Sequence, residues 1–241
     1  DGSASAMVSA GNTGATMASA LLRMCRIKNI DRPAIATLLP SPGGTPTVLL
    51  DSGANSECNS EWLLQFGQMG AVFAQHRLDI KEPRVALLSI GEEPGKGSPL
   101  IKESFESFST AQFNGGSFVG NIEGRDLLTD AADVAVTDGF TGNVALKTIE
   151  GTMKTFFSTM LEKMTARPEA TLALEILGPE LDELFKLFHP DTYGGAMLLG
   201  VKGVCVISHG SSGALAIENA IKVAAEMDEA NIVESLRSSF S

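Results

Sequence analysis

The chain has 241 residues, of which 44% are hydrophobic and 20% are charged, and this balance is typical of a globular protein and excludes a disordered one. Its formal net charge of −11 argues against a nucleic-acid-binding protein, because binding to phosphate backbones requires a positive surface. Three scattered cysteines, no signal peptide and no apolar run of membrane-spanning length predict a cytoplasmic protein without a disulfide framework or a zinc site.

Short apolar runs alternate with longer segments of helical period along the chain. The predicted strands span residues 6–9, 34–39, 47–51, 85–90, 117–120, 134–137 and 204–208. The predicted helices span residues 13–28, 61–77, 99–109, 142–165, 170–188, 212–227 and 229–238. This alternation predicts crossover units on a mainly parallel sheet. Because the sequence opens at the end of a predicted strand, we expect a portion of the protein to precede it.

Six of the predicted strands end in a glycine or a polar cluster. In chain order these clusters are SAGNTG, DSGAN, IGEEPGKG, GNIEGRD, TDGFTGN and SHGSSG. Functional loops of a parallel sheet follow the carboxyl ends of its strands, so we expect the clusters to converge on one cleft. That cleft would bring Asn12 and His209 to the same edge of the sheet. Glycines and small polar side chains ahead of a helix are typical of a site that binds an anion.

Each polar cluster also has a purely structural interpretation. Asn12 or Thr13 would cap the helix that follows, and Asp51 and Asn55 would hold an Asx-type turn. His209 would close a buried hydrogen bond at the end of the apolar strand GVCVIS. For these residues the structural and the functional interpretation both stay open.

The segment GEEPGKGS resembles a phosphate-binding loop but does not match a Walker motif, so it gives little support to nucleotide hydrolysis. Glu92, Glu93 and Lys96 in this segment belong either to a site or to a solvated charge cluster. No GxGxxG follows a predicted strand, which argues against an ordinary dinucleotide fold. A dehydrogenase is therefore disfavoured.

Seven ordered motifs carry a resemblance that runs from about residue 5 to residue 226. They read SAGNTGA, LLDSGAN, LLSIGEEPGKGS, FVGNIEGRD, VTDGFTGNVALKT, YGGAMLLGVKG and ISHGSSGALAIENAI. In this order they resemble the bacterial phosphate acyltransferases of phospholipid synthesis, the PlsX family. The acidic, glycine-rich phosphate-site loop that follows the amino-terminal strand of that family has no counterpart in this sequence.

The resemblance implies transfer of a long fatty acyl group from acyl carrier protein to inorganic phosphate, which gives acyl phosphate without a cofactor. It implies a three-layer α/β/α sandwich similar to those of phosphotransacetylases and of the isocitrate and isopropylmalate dehydrogenases. It also implies a homodimer that associates peripherally with a membrane. We expect residues 1–241 to form a single α/β acyltransferase domain.

Attack of phosphate on a thioester requires a held anion, a stabilised oxyanion and a proton donor for the departing thiolate. The residues predicted to act in catalysis are His209, Asn143, Asp138, Glu123 and Lys96. The residues predicted to bind substrate are Asn12, Thr13, Asp51, Asn55, Glu92, Glu93, Asn121, Arg125, Ser211 and Ser212. No metal ligand is assigned among them.

Within this set, Asn143 and His209 are candidates to meet the carbonyl oxygen or the leaving sulfur. The small polar residues of SAGNTG and SHGSSG would seat the phosphate, while Lys96 and Arg125 would offset its charge. The carboxylates would orient these donors or act as a base toward phosphate.

Residues 143–188 differ in character from the rest of the chain. Two helical segments with apolar stripes, separated by Arg167 and Pro168, predict a protruding hairpin. The stripe packs either on its own domain or on the hairpin of a second copy, where Phe156 and Phe157 would lie at the contact. The tip at residues 164–177 is rich in leucine and would touch a membrane surface.

Two other functions stay open. One is a noncatalytic domain that binds phosphate or carrier protein, and the other is a short-chain phosphotransacetylase that uses acetyl coenzyme A. The basic residues Arg23, Arg26, Lys28 and Arg32 form either a docking surface for the acidic carrier protein or a solvated helix end.

Overall fold

The strands form one eight-stranded sheet in the computed structural model, which describes residues 3–166, 168–210 and 212–241. The strands are β1 (Ala6–Ser9), β2 (Ala34–Leu39), β3 (Thr47–Leu50), β4 (Arg84–Ser89), β5 (Ser117–Glu123), β6 (Val134–Val136), β7 (Ala196–Leu199) and β8 (Val204–Ile207). The helices are α1 (Thr13–Arg23), α2 (Ser60–Leu78), α3 (Pro99–Thr110), α4 (Gly139–Thr165), α5 (Pro168–Phe188), α6 (Ala214–Glu229) and α7 (Ile232–Ser239). The predicted alternation of strands and helices is confirmed.

The sheet contains two blocks of strands that run in opposite directions. Its order is β1-β8-β7-β2-β3-β6-β4-β5. Strands β3, β6, β4 and β5 are parallel to one another, and β1 and β8 form a second parallel pair. The blocks are joined by three antiparallel pairings, which are β8 with β7, β7 with β2, and β2 with β3. Strands β1 and β8 therefore run opposite to β3, β6, β4 and β5. The expectation that all polar loops share one edge is therefore wrong, because the strands of the two blocks end at opposite edges.

Helices cover both faces of the sheet and make it the middle of three layers. Successive strand residues point to opposite faces. One face carries the larger core, in which α2, α3, α6 and α7 pack on residues such as Val48, Val85 and Val206. The other face is covered by α1 and α4.

The core on this second face is divided into two clusters. The cluster under α1 includes Ile35, and the cluster under α4 includes Leu39. Both residues belong to β2, and Thr37 lies between them on the same face, only half-buried. The interval between the clusters leaves room for a cavity on the face of the sheet.

Several element ends shift by a few residues from the prediction, and two elements differ more. Strand β7 is not foreseen by the sequence, because the run AMLL lies between Gly195 and Gly200, and glycines interrupt a strand pattern. Helix α1 ends at Arg23 instead of residue 28, since Cys25 has a φ of 63° and Arg26 pairs with Val201 across an isolated bridge. The left-handed conformation of Cys25 cannot continue a helix.

Helices α4 and α5 pack on each other as a hairpin. The ring of Phe157 lies 5.4 Å from that of Phe185 and 6.2 Å from that of Phe188. Large apolar side chains nevertheless stay in solvent, and Phe156, Leu172 and Ile176 are 58%, 59% and 69% exposed. Among the described residues, no helix is both long and apolar enough to cross a membrane.

Candidate active site

A cavity of about 420 Å³ lies on the second face of the sheet, in the interval between the two core clusters. Thr37 lines it, and the Thr37 hydroxyl oxygen lies 2.7 Å from that of Ser52. The volume falls in the range of small-molecule sites. The candidate site is thus on a face of the sheet, where α1 and α4 leave it uncovered.

Two helices begin side by side at one wall of the cavity. Strands β1 and β8 are paired in parallel up to Ser9 and Ile207, and α1 and α6 start shortly after them. Asn12 caps α1, since its Oδ1 accepts a 3.0 Å hydrogen bond from the backbone N–H of Ala15. Gly213, at the start of α6, makes no side-chain cap. Two neighbouring helix starts present backbone N–H groups and partial positive charge, which favour a bound anion.

The first turn of α4 approaches the DSGAN loop so closely that only glycine fits. A Cβ atom on Gly142 would lie 1.9 Å from the backbone oxygen of Asp51, and one on Gly139 would lie 2.7 Å from the backbone of Asn55. This contact places Asn143 beside Gly53, and both residues line the cavity. The glycines of TDGFTGN therefore serve to bring Asn143 into the site.

Asp51 is fully buried and holds the DSGAN loop together. Its carboxylate accepts hydrogen bonds from the backbone N–H groups of Ile35, Gly53, Ala54 and Asn55 and from the side chain of Asn55. Burial raises the pKa of Asp51, and these hydrogen bonds oppose the rise. Asp51 and Asn55 thus shape the loop and do not line the cavity.

A lysine and a histidine meet across the cavity. Nζ of Lys147, on α4, lies 3.2 Å from Nε2 of His209, which follows β8. Glu150 Oε2 lies 2.7 Å from the same Nζ. Because an ammonium group can only donate, Nε2 of His209 accepts in this contact. The pair supplies a positive charge and a proton donor to a polar corner of the cavity.

Ser208 is a second donor that the cavity wall presents. It is 4% exposed and lines the cavity. Within the part of the chain that the structure describes, its hydroxyl has no hydrogen-bond partner. A buried hydroxyl without a partner is costly and calls for an explanation, of which a role in catalysis is one.

The structure divides the predicted site residues into two groups. Asn12, Thr13, Asn143, His209 and Ser212 line the cavity. Ser211 lies outside the described residues. The remaining predicted residues do not line the cavity, and they are Asp51, Asn55, Glu92, Glu93, Lys96, Asn121, Glu123, Arg125 and Asp138.

Six of these nine residues lie at the end of β5 or in the loops after β4 and β5, at the opposite edge of the sheet. Arg125 pairs with Glu123 at 2.6 Å and with Glu92 at 3.8 Å, and the side chain of Asn121 donates to the backbone oxygen of Glu93 at 3.0 Å. Placing these residues in the same pocket as His209 is wrong, because β4 and β5 lie at the far end of the strand order from β8 and run in the opposite direction to it. Asp138 follows β6 and caps α4, where its carboxylate accepts from the backbone N–H of Thr141 at 2.9 Å.

Sequence reasoning missed Lys147, Glu150, Ser208, Ser52 and Thr37 as cavity-lining residues. Lys147 and Glu150 could have been found from their spacing along α4. They follow Asn143 by four and seven residues, which places all three residues on one face of the helix. Ser52 and Ser208 belong to the clusters DSGAN and SHGSSG, but nothing in the sequence distinguishes them from their neighbours there, and nothing singles out Thr37. Among the described residues, no group of three or more His, Cys, Asp or Glu side chains is arranged to hold a metal ion.

Comparison with solved structures places the fold among phosphotransacetylases. The EutD phosphotransacetylase from Staphylococcus aureus matches with a TM-score of 0.61 at 15% identity, over 94% of this chain and 64% of that one. A branched-chain phosphotransacylase from Enterococcus faecalis also matches with a TM-score of 0.61, at 18% identity, over 95% of this chain and 75% of that one. The predicted α/β class and its likeness to phosphotransacetylases are confirmed.

Curated relatives share far more of the sequence. The phosphate acyltransferase of Elusimicrobium minutum is 45% identical over 98% of this chain and 68% of its own length. Those of Listeria innocua and Pelotomaculum thermopropionicum are 48% and 49% identical over 99% of this chain, and over 70% and 69% of their own lengths. The family model described as fatty acid synthesis protein matches residues 1–235. The chain therefore belongs to the fatty acid synthesis protein family, and like its phosphate acyltransferase relatives it is an acyltransferase.

Proposed function

We propose that the protein transfers a long-chain fatty acyl group from acyl carrier protein to inorganic phosphate, for use in phospholipid synthesis. The observation that carries the proposal is the composition of the cavity. The starts of α1 and α6 provide a binding site for an anion. Helix α4 contributes the polar residues Asn143 and Lys147 to the cavity wall, next to the apolar residues Leu146 and Ile149. An enzyme that joins phosphate to a fatty acyl group needs both environments in one site.

The reaction that we propose needs no covalent enzyme intermediate. A phosphate oxygen attacks the thioester carbonyl carbon, and the carbonyl oxygen becomes an oxyanion. Collapse of this intermediate breaks the carbon–sulfur bond and releases the carrier thiolate, which takes up a proton. The products are acyl phosphate and the carrier thiol.

The cavity-lining residues are assigned to these steps by their chemistry. Asn12, Thr13 and Ser212 seat the phosphate with the backbone N–H groups of their helix starts. Lys147 offsets its charge. Asn143 and His209 meet the oxyanion or the departing sulfur, where preorganised donors are most effective.

We also propose a homodimer formed through the α4–α5 hairpin and a peripheral membrane contact at residues 164–177. The exposed apolar side chains of the hairpin support both, because they are otherwise left in solvent. For the acidic carrier protein, the basic residues Arg23, Arg26, Lys28 and Arg32 are the proposed docking surface. All four are exposed.

A phosphorolysis assay tests the function directly. Palmitoyl carrier protein and phosphate should give stoichiometric free carrier thiol and acyl phosphate, and omission of phosphate should abolish both. Turnover of acetyl coenzyme A in preference to the long-chain donor would instead support a short-chain phosphotransacetylase. Binding of phosphate or carrier protein without any thiol release would support a noncatalytic domain.

A further inference from the structure

The cavity has an apolar end that phosphate and a thioester carbonyl do not require. Leu39 and Pro40 from β2 and its end, Ile149 and Met153 from α4, and Phe188 at the end of α5 line this part of the cavity. Four of these side chains are aliphatic or aromatic hydrocarbons, and Met153 is a flexible thioether that adapts to such surroundings. A ligand that fills the whole cavity must therefore combine a polar group with an apolar part.

Helix α4 connects the two ends. Asn143, Lys147 and Glu150 form its polar stripe, and Leu146, Ile149 and Met153 form an adjacent apolar stripe, each at spacings of three and four residues. From Asn143 to Met153 the helix rises by about 15 Å, which matches an extended alkyl chain rather than an acetyl group. We propose that the fatty acyl chain lies along this apolar stripe, and that Met153 sets the chain length that fits.

The position of Met153 on α4 is the reason for assigning it this role. The next apolar residue of the stripe, Phe157, belongs to an aromatic cluster with Phe156, Phe185 and Phe188, and Phe188 also lines the cavity. Met153 is half-buried, and it is the last residue of α4 that lines the cavity, four residues before Phe157. An acyl chain that reaches Met153 is in contact with the whole apolar part of the cavity wall. A longer acyl chain must displace the Met153 side chain or enter the aromatic cluster.

The inference rests on the proposed function, because it identifies the apolar wall as the acyl site of that reaction. It can be tested without turnover, by isothermal titration of alkyl phosphonates from octyl to octadecyl. These probes join a phosphate-like head to a chain and contain no reactive bond. In the unaltered protein, each added methylene should tighten binding roughly fourfold until the chain reaches Met153. Beyond that length the affinity should rise no further, because a longer chain must displace the Met153 side chain.

Two substitutions move the end of the site in opposite directions. Met153→Ala should extend the rise in affinity to chains about two methylenes longer, and Met153→Trp should end it at shorter chains by a similar amount. Met160→Ala, on the same helix but outside the cavity, is the matched control and should leave the profile unchanged. Met153→Ala is the decisive variant, because it introduces no bulk that could prevent folding.

The outcomes separate the inference from the proposed function. Affinity that does not depend on chain length, or a plateau that Met153→Ala leaves in place, would overturn the acyl site. A length profile that shifts with Met153, in a protein that does not use acyl carrier protein, would support the acyl site and refute only the proposed donor.

Discussion

Lys147 and His209 come from elements that are far apart in the chain, and their 3.2 Å contact joins the α4 wall of the cavity to the wall formed by β8. Asn143, one helical turn before Lys147, lies beside Gly53 on the DSGAN loop. Two donors, Asn143 and Lys147, and the imidazole of His209 therefore lie on two walls of one cavity. Such an arrangement is suited to a group whose negative charge grows during the reaction.

Removal of either member of the contact should slow turnover. We expect His209→Ala and Lys147→Met each to lower kcat on the order of 100-fold, because each removes a preorganised donor. The double variant should be little slower than the single variants, since paired groups act as a unit. Steady-state kinetics with palmitoyl carrier protein measure all three.

Lys154→Met is the control for this series. Lys154 is exposed on α4 and does not line the cavity, so its replacement should leave kcat within about twofold of the unaltered value. Near-normal turnover of both His209→Ala and Lys147→Met would remove the pair from the mechanism.

Ser208 should show opposite effects on stability and on rate. Ser208→Ala removes a buried hydroxyl that lacks a partner among the described residues, so we expect the free energy of unfolding to rise by about 1 kcal/mol. If the hydroxyl serves the reaction, kcat should fall at the same time. Urea unfolding and phosphorolysis kinetics measure the two effects.

Ser104→Ala provides the comparison. Ser104 on α3 is fully buried, and its hydroxyl also lacks a partner within the described residues, but it does not line the cavity. Its replacement should stabilise the protein without a change in rate. Equal rates for Ser208→Ala and the unaltered enzyme would show that the Ser208 hydroxyl has no part in catalysis.

Individual site residues can be predicted from the sequence where a polar residue lies between a strand and the helix that follows it. Asn12 and His209 follow short apolar strands, and the glycines around them indicate a tight loop, so their position at a site is foreseeable. Lys147 is hard to foresee because a lysine within an amphipathic helix is usually in solvent. The sequence does not indicate a role for Ser208, because it is the packing around the end of β8 that leaves its hydroxyl without a partner among the described residues.

The start of α4 is the element on which the site depends. Gly139 and Gly142 let its first turn contact the DSGAN loop, whose conformation is held by the buried carboxylate of Asp51. If the helix could not approach the loop, Asn143 and the residues after it would move away from β8. The glycines thus control the width of the cavity through backbone contact.

The same substitution at two glycines of α4 should have opposite effects. Gly142→Ala places a Cβ atom 1.9 Å from the backbone oxygen of Asp51, so we expect destabilisation by about 3 kcal/mol. Gly151→Ala meets no atom within 4 Å, and should stabilise the helix by roughly 0.5–1 kcal/mol because alanine has the higher helix propensity. Thermal unfolding followed by circular dichroism measures both changes.

For a chain of this size, the first change lowers Tm by about 6 °C or more, and the second raises it by roughly 1–4 °C. A Gly142→Ala variant as stable as the unaltered protein would mean that α4 does not start in contact with the DSGAN loop.

Element positions are predictable from local pattern, but strand direction is not. The buried runs of β2, β3, β4 and β6 and the cap of α1 are visible in the sequence. The reversal between the two blocks depends on β7, which is only four residues long, and on long-range pairing. For this reason local pattern puts Glu92 and Arg125 beside His209, whereas they lie at the other edge of the sheet.

At the scale of the whole molecule, the hairpin leaves large apolar side chains without a covering surface. Phe156, Leu172 and Ile176 are more than half exposed, although the facing rings of Phe157 and Phe185 are in contact. Exposed apolar patches of this kind mark surfaces that bind proteins or membranes. The proposed two-fold dimer would pair each hairpin with its copy.

Phe156→Glu should shift the protein toward the monomer. A charge in an apolar contact is left without compensation, so we expect dissociation at micromolar concentration in multi-angle light scattering. Leu22→Glu is the control, because Leu22 is 80% exposed on α1 and lies outside the hairpin. A mass unchanged by Phe156→Glu would place any dimer contact on another surface.

The pairing of β1 with β8 joins Ala6 to Val204, across most of the chain. At a synthesis rate of roughly 5–20 residues per second, the segment with Asn12 leaves the ribosome roughly 10–40 s before the segment with His209. Until then β1 lacks the strand it pairs with, and closing so long a loop is entropically costly. A nascent chain interrupted before residue 204 therefore cannot form the pocket, and unfinished copies of the enzyme should not turn over the proposed acyl donor.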